Sequence, residues 1–176
     1  DHTVQAICAA NRIMDTFEDE DLITVFDNYW WASGDQNVFP PGIPGNSQSA
    51  IFNIADSTEN TRCISWDFIL GNVSAINSNG VSIGNWVNTG MDFKENTLKG
   101  FKGVLFKAKS TAALTLTMNA IMPDTPYLKE FSVTTNWKTF YIDFSELVPA
   151  SWLTPPIMPF DAAKVVSLMW QYAGNY

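Results

Sequence analysis

The chain has 176 residues, 46% hydrophobic and 16% charged, with 10 Lys and Arg against 18 Asp and Glu and a net charge of -8. That length suits one domain with a sizeable core, so a single domain over residues 1–176 is the expected organisation. The negative balance, with no basic cluster to offset it, repels nucleic acid and anionic bilayers, and the broken apolar runs are too short for a membrane span of about 30 Å.

The opening segment, DHTVQAICAA, has no initiator Met and reads as the start of a processed or excised fragment whose targeting segment has gone. It carries Cys8, and the second cysteine is Cys63. The pair has neither CxxC spacing nor histidine-rich surroundings, and one His in the whole chain argues against an ordinary zinc site. A Cys8–Cys63 disulfide suits an exported protein, with two buried free thiols as the alternative. A composition rich in Asn, Thr, Ser, Gly and Trp and poor in charge fits an extracellular location. The acidic run EDED at 18–21 has three readings: a solvated patch, part of a catalytic pair, or a calcium site, since hard cations take several oxygens from close carboxylates.

The stretch DNYWWASGD, Asp27 to Asp35, sets three large rings side by side. Neighbours along an extended chain point to opposite faces, so Tyr29 and Trp31 share one side and Trp30 takes the other. The expectation is Tyr29 or Trp31 outward and Trp30 buried; a hydrophobic loop packed over one end of the fold is the competing reading.

Period-two alternation then dominates. Strands are predicted at SAIFNIA (49–55), CISWDFIL (63–70), GVSIGNWVN (80–88), KGVLFKAK (102–109), AALTLTMNA (112–120), LKEFSVT (128–134), KTFYIDF (138–144) and KVVSLMWQY (164–172). The clusters FPPGIPGNS, NSNG, MPDTP and TPPIMP separate them as turns and loops, and single helical turns are expected at SELV and FDAAK. Many strands without alternating helices make an all-β, two-sheet antiparallel β-sandwich the natural packing solution.

Parity sorts the remaining aromatic residues. Trp66 shares a face with Ile64, Phe68 and Leu70 and reads as core, with Asp67 on the other side beside Ser65. Trp86 lies with Ser82, Gly84 and Asn88, a polar face with room for a flat ligand, so Trp86 is a candidate platform for such a ligand and Asp67 a candidate hydrogen-bonding partner for it. Trp137 belongs to a rim, and Trp152, within PASWLTPP, is expected to plug a proline loop. Trp170 and Tyr172 share the parity of Val166 and Leu168, which argues for the core. Glycoside hydrolysis needs two carboxylates about 5 to 9.5 Å apart across a cleft. The isolated strand acids, Asp67, Glu130 and Asp143, supply no obvious pair.

The blocks IMDTFEDED, FDNYWW, FKGVLFKAKS, TTNWKTFYIDFSEL and FDAAKVVSLMW, in this order over roughly residues 13–173, resemble the family 11 type of carbohydrate-binding module attached to bacterial cellulases and β-glucanases. The resemblance implies a non-catalytic jelly roll of the galactose-binding-like kind. Such a module grips one β-glucan chain, cellulose or mixed-linkage glucan, in a concave-face cleft, carries structural calcium on the far edge, and sits beside an appended glycoside hydrolase domain. It also implies Asp15 and Glu18 as calcium or structural carboxylates, Tyr29 at the cleft edge, and Trp170, with Tyr172 beside it, in place of a cleft tyrosine. Phe131 stands where the family has another tyrosine, so that hydroxyl is missing. Family members finish with a VDNI-type strand, whereas this chain ends QYAGNY; either that strand is missing or HTVQAICAA replaces it, stapled by the cysteines. The alternatives are a structural or adhesive surface sandwich without sugar specificity and, as a minor one, a jelly-roll glycanase or lyase.

Calcium held by Asp15 and Glu18 should raise the melting temperature of metal-stripped protein, and a chelator should reverse the rise, because a ligand of the native state alone stabilises it. A scanning-fluorimetry trace that neither reagent moves would remove the calcium site.

Overall fold

Alternating apolar and polar residues become paired strands wherever the chain is described, and a computed structural model describes residues 23–24, 28–34, 38–39, 52–56, 62–66, 69–70 and 86–173. The strands are β1 (Trp30–Gly34), β2 (Val38–Phe39), β3 (Phe52–Asp56), β4 (Arg62–Trp66), β5 (Ile69–Leu70), β6 (Trp86–Asp92), β7 (Gly103–Ala108), β8 (Leu114–Met122), β9 (Thr125–Val133), β10 (Lys138–Asp143), β11 (Val148–Pro149) and β12 (Ser167–Ala173). By contacts the chain divides into two compact units, Asp1–Ile13 with Asp92–Trp170 and Met14–Met91 with Gln171–Tyr176.

In the first unit β12, β8, β9 and β11 lie side by side in that order in one sheet, and β7 and β10 form the other. The β8–β9, β9–β11 and β7–β10 pairs are antiparallel. Phe106 of β7 joins the two layers. It stacks on Phe140 of β10 at 5.4 Å between centroids and meets Phe131 of β9 at 5.3 Å and Trp170 of β12 at 5.4 Å, both edge-on. Such pairs add roughly 0.5–1.5 kcal/mol each beyond the area they bury. Val104, Met118, Ala120, Met122, Val133, Ile142 and Leu168 complete the buried layer. The result is an all-β, two-sheet antiparallel sandwich, the class that the alternation predicts.

The turns follow local chemistry. In MPDTP, Pro123 and Asp124 form a two-residue connection between paired Met122 and Thr125, and Asp124 takes φ 58°, a left-handed conformation that Asp tolerates better than most residues. The strand after it starts at Thr125 and runs through Pro126, ahead of the expected start at Leu128, because a proline near a strand's first residue forfeits only one ladder bond. The expected single turns are 3-10 turns at Phe144–Glu146 and Ala162–Lys164. Each is capped by an aspartate that accepts a backbone N–H two residues on: Asp143 from Ser145 at 2.8 Å and Asp161 from Ala163 at 2.9 Å. That backbone bond from Ser145 is the main reason the Asp143 carboxyl titrates below its ordinary value.

In the second unit β1 pairs antiparallel with β6, β2 with β5 and β3 with β4. The expected strand CISWDFIL is found as β4 and β5. The strand expected to finish at Asn88 continues to Asp92, because Gly90 is a ladder position opposite Trp31 and not a break.

Gly103, the first residue of β7, sits where β10 comes closest. A Cβ there would run into the Ile142 carbonyl oxygen and stand 2.9 Å from two atoms of the Tyr141 ring. Gly103→Ala should therefore cost about 1–3 kcal/mol of stability through overpacking. Urea denaturation measures it, and an unchanged midpoint would mean that the two strands have room to separate.

Candidate ligand-binding site

The register of β1 on β6 sorts the side chains of DNYWWASGD. Trp30 is paired with Met91 and Ala32 with Thr89, on the side that carries fully buried Val87 and Met91. Trp31 is paired with Gly90 and Ser33 with Asn88, so Trp31, Ser33, Gly90, Asn88 and Trp86 share the other face. Tyr29, just ahead of β1, forms an isolated antiparallel bridge with Ile23 outside the β1–β6 ladder and is 65% exposed. Trp31 and Trp86 are half-buried, and so is Trp30, which was expected to be fully covered. Thr89 ties the two strands together from the core side, its hydroxyl donating to the Trp31 carbonyl at 3.0 Å. The face thus carries two half-buried indoles and the half-buried Ser33 hydroxyl beside buried Asn88 and Gly90, with no formal charge, a set suited to a neutral hydroxylated ligand.

The proline loop of the first unit differs from expectation. Trp152 is 69% exposed and fastens nothing. The plug is Tyr127, buried, whose hydroxyl donates to the Met158 carbonyl at 2.8 Å and whose ring meets Phe160 at 5.4 Å. Phe144 holds Phe160 from another side at 5.3 Å, and the Ala150 N–H donates to the Pro126 carbonyl at 3.1 Å. With the loop pinned by these groups, the Trp152 ring is left to solvent. A tryptophan on a proline-rich loop has no periodicity to reveal which way it points, which is why sequence reasoning assigned it to packing.

Other candidates are placed elsewhere. Trp170 is 8% exposed and lies edge-on to Phe106, and Phe131 lies in the same ring cluster. Trp170 is buried, as its parity indicated, and Phe131 is half-buried in the same ring cluster, whereas the resemblance implied cleft positions for both. Tyr172, one strand period on from Trp170, is half-buried. Glu130 is exposed on the side of β9 away from Phe131, and Asp143 is engaged as a turn cap. Cys63 is half-buried in β4 opposite Ala55. Asp15, Glu18, Cys8, Asp67 and the side chain of Trp66 lie outside the described residues. Among the described residues, no group of three or more His, Cys, Asp or Glu stands together in a way that could hold a metal ion.

This architecture is shared by two solved structures. A family 11 carbohydrate-binding module from Clostridium thermocellum, in complex with a β-1,3-1,4-mixed-linked tetrasaccharide, superposes with a TM-score of 0.59 at 13% identity, over 83% of this chain and 80% of that chain. The family 11 module of the cellulosomal cellulase Lic26A-Cel5E of Clostridium thermocellum superposes with a TM-score of 0.58 at 13% identity, over 83% of this chain and 79% of that chain. The chain therefore has the fold of the family 11 modules, the one that the sequence blocks resembled. No protein-family model matches the chain, and no curated protein sequence matches it significantly.

The assignment of the loop plug is open to a paired substitution. Trp152→Ala should leave stability within about 0.5 kcal/mol, as at other exposed positions, whereas Tyr127→Phe should cost about 0.5–1.5 kcal/mol for the lost hydrogen bond. Urea midpoints in the reverse order would return Trp152 to a packing role.

Proposed function

We propose that this chain is a non-catalytic carbohydrate-binding module for β-glucan chains. The observation that carries the reading is the β1–β6 face, where Trp31 and Trp86 flank Ser33 and Asn88 with exposed Tyr29 at one end, in a fold shared with modules of that kind. The chemistry is stacking plus hydrogen bonding. Flat rings lie against the apolar C–H faces of glucose units, while short polar side chains such as Ser33 meet the equatorial hydroxyls. Ring stacking on nucleic-acid bases contributes roughly 1–3 kcal/mol per ring, and the same scale is taken for sugars. A neutral ligand is also compatible with a chain of net charge -8.

On this reading the chain is one domain over residues 1–176, secreted or on a bacterial surface, and works beside a glycoside hydrolase domain of its parent protein. Mixed-linkage glucan is the first ligand to try, because that is the sugar bound by one of the two structural neighbours. Structural calcium at Asp15 and Glu18, a Cys8–Cys63 bridge and a contact from Asp67 belong to the same proposal and rest on the sequence alone. The proposal gives no ligand contact to Trp170, whose ring is buried against Phe106, and none to half-buried Phe131 of the same cluster.

Native affinity electrophoresis through gels containing mixed-linkage β-glucan or soluble cellulose derivatives tests the reading. The protein should be retarded, and retardation should change little with added salt because no counterions are released from a neutral polymer. Tyr29→Ala, Trp31→Ala and Trp86→Ala should each weaken binding by about 1–3 kcal/mol. If no β-glucan retards the protein, the structural or adhesive reading takes its place.

A further inference from the structure

Thr89 is 7% exposed, and its hydroxyl donates to the Trp31 carbonyl at 3.0 Å, a bond between residues 58 positions apart in the chain. A polar side chain among apolar ones needs a partner, and a nearby one would satisfy it as well as a distant one. Asn119, the buried amide of β8, takes the nearby course, donating from Nδ2 to the Thr117 carbonyl at 3.4 Å. Thr89 reaches across to the neighbouring strand instead. The oxygen it meets belongs to Trp31, one of the two indole-bearing residues of the β1–β6 face.

The strand pleat keeps Thr89 itself away from a ligand. Its side chain shares the filled side of β6 with Val87 and Met91, whereas Trp31 is paired with Gly90 and its ring belongs to the other side. Thr89 thus holds the backbone of Trp31 from beneath while the half-buried indole stands above. On the ring's own side Gly90 has no side chain to brace it across the ladder. On the filled side Ala32, the ladder partner of Thr89, carries only a methyl group, and the branched threonine side chain has few rotamers open to it. We propose that Thr89 is a positioning residue of this face, fixing the stance of the Trp31 indole for a β-glucan chain through the Trp31 carbonyl. The proposal rests on the carbohydrate-binding reading above. The rotamers open to an indole follow from the backbone that carries it. A ring already set in place loses less freedom when a sugar stacks on it, and preorganisation of this kind raises affinity without adding a contact.

The hydroxyl can be removed without altering any side chain of the face. In Thr89→Val, which keeps the branched shape, the dissociation constant for a mixed-linkage β-glucan oligosaccharide, measured by isothermal titration calorimetry, should rise about two- to tenfold, the factor that one hydrogen bond amounts to. The melting temperature should fall by no more than a few degrees. In heteronuclear NMR spectra of the sugar-free protein, the indole N–H signal of Trp31, assigned by its loss in Trp31→Phe, should shift or broaden in Thr89→Val, and that of Trp86 should move less. Thr89→Ser keeps the hydroxyl and should restore both the Trp31 signal and the affinity. Thr89→Ala replaces the valine variant if the latter does not fold. Unchanged affinity would make Thr89 a structural residue and overturn the proposal, whatever the melting temperature does. So would weaker binding with an unmoved Trp31 signal, or an equal loss of affinity in Thr89→Ser. If wild type binds no β-glucan at all, the carbohydrate reading fails and the inference with it; if wild type binds and Thr89→Val binds equally, the inference alone fails.

Discussion

Phe106 is the constraint on which the first unit is built. Its ring touches Phe140, Phe131 and Trp170, from three different strands, and so ties the two-stranded sheet to the larger one. A ring with neighbours on several sides cannot turn or shift without losing several contacts at once, and close-packed interiors do not refill such gaps readily. The cluster therefore sets which way β7 and β10 face, and everything outside it is what remains. Phe131 and Trp170, for which the sequence resemblance implied ligand positions, meet Phe106 here and contribute to cohesion.

Loops in this protein are held by a few specific groups, and those groups determine which aromatic residues stay available. Tyr127 and Phe160 fasten the proline loop, and Asp143 and Asp161 cap the two short turns through their carboxylates. Because these residues satisfy the local packing and hydrogen-bonding demands, Trp152 stands in solvent at 69% exposure. An exposed indole contributes little to folding, so this loop keeps its shape without it.

The β1–β6 face shows the same separation between cohesion and use. One side of β6 is filled by Val87 and Met91. The other carries indoles, a glycine and an amide whose oxygen is unpaired among the described residues. The first side supplies stability and the second carries the proposed recognition, and the strand pleat is what lets one seven-residue segment present two such different faces.

How much of this could be read beforehand follows from the period of the β-strand. Alternation alone predicted the sandwich, grouped Tyr29 with Trp31 against Trp30, put Trp86 with Asn88, and set Trp170 among core residues. Turn chemistry located the connection at MPDTP and the two capped turns. These are local properties, fixed by which residue follows which. The tertiary structure decided the rest: that Gly90 continues a strand, that Tyr127 and not Trp152 pins the proline loop, and that Asn88 is buried. Each of these depends on what lies across from a residue, and a sequence with period two says which side chains share a face without saying what, if anything, covers it.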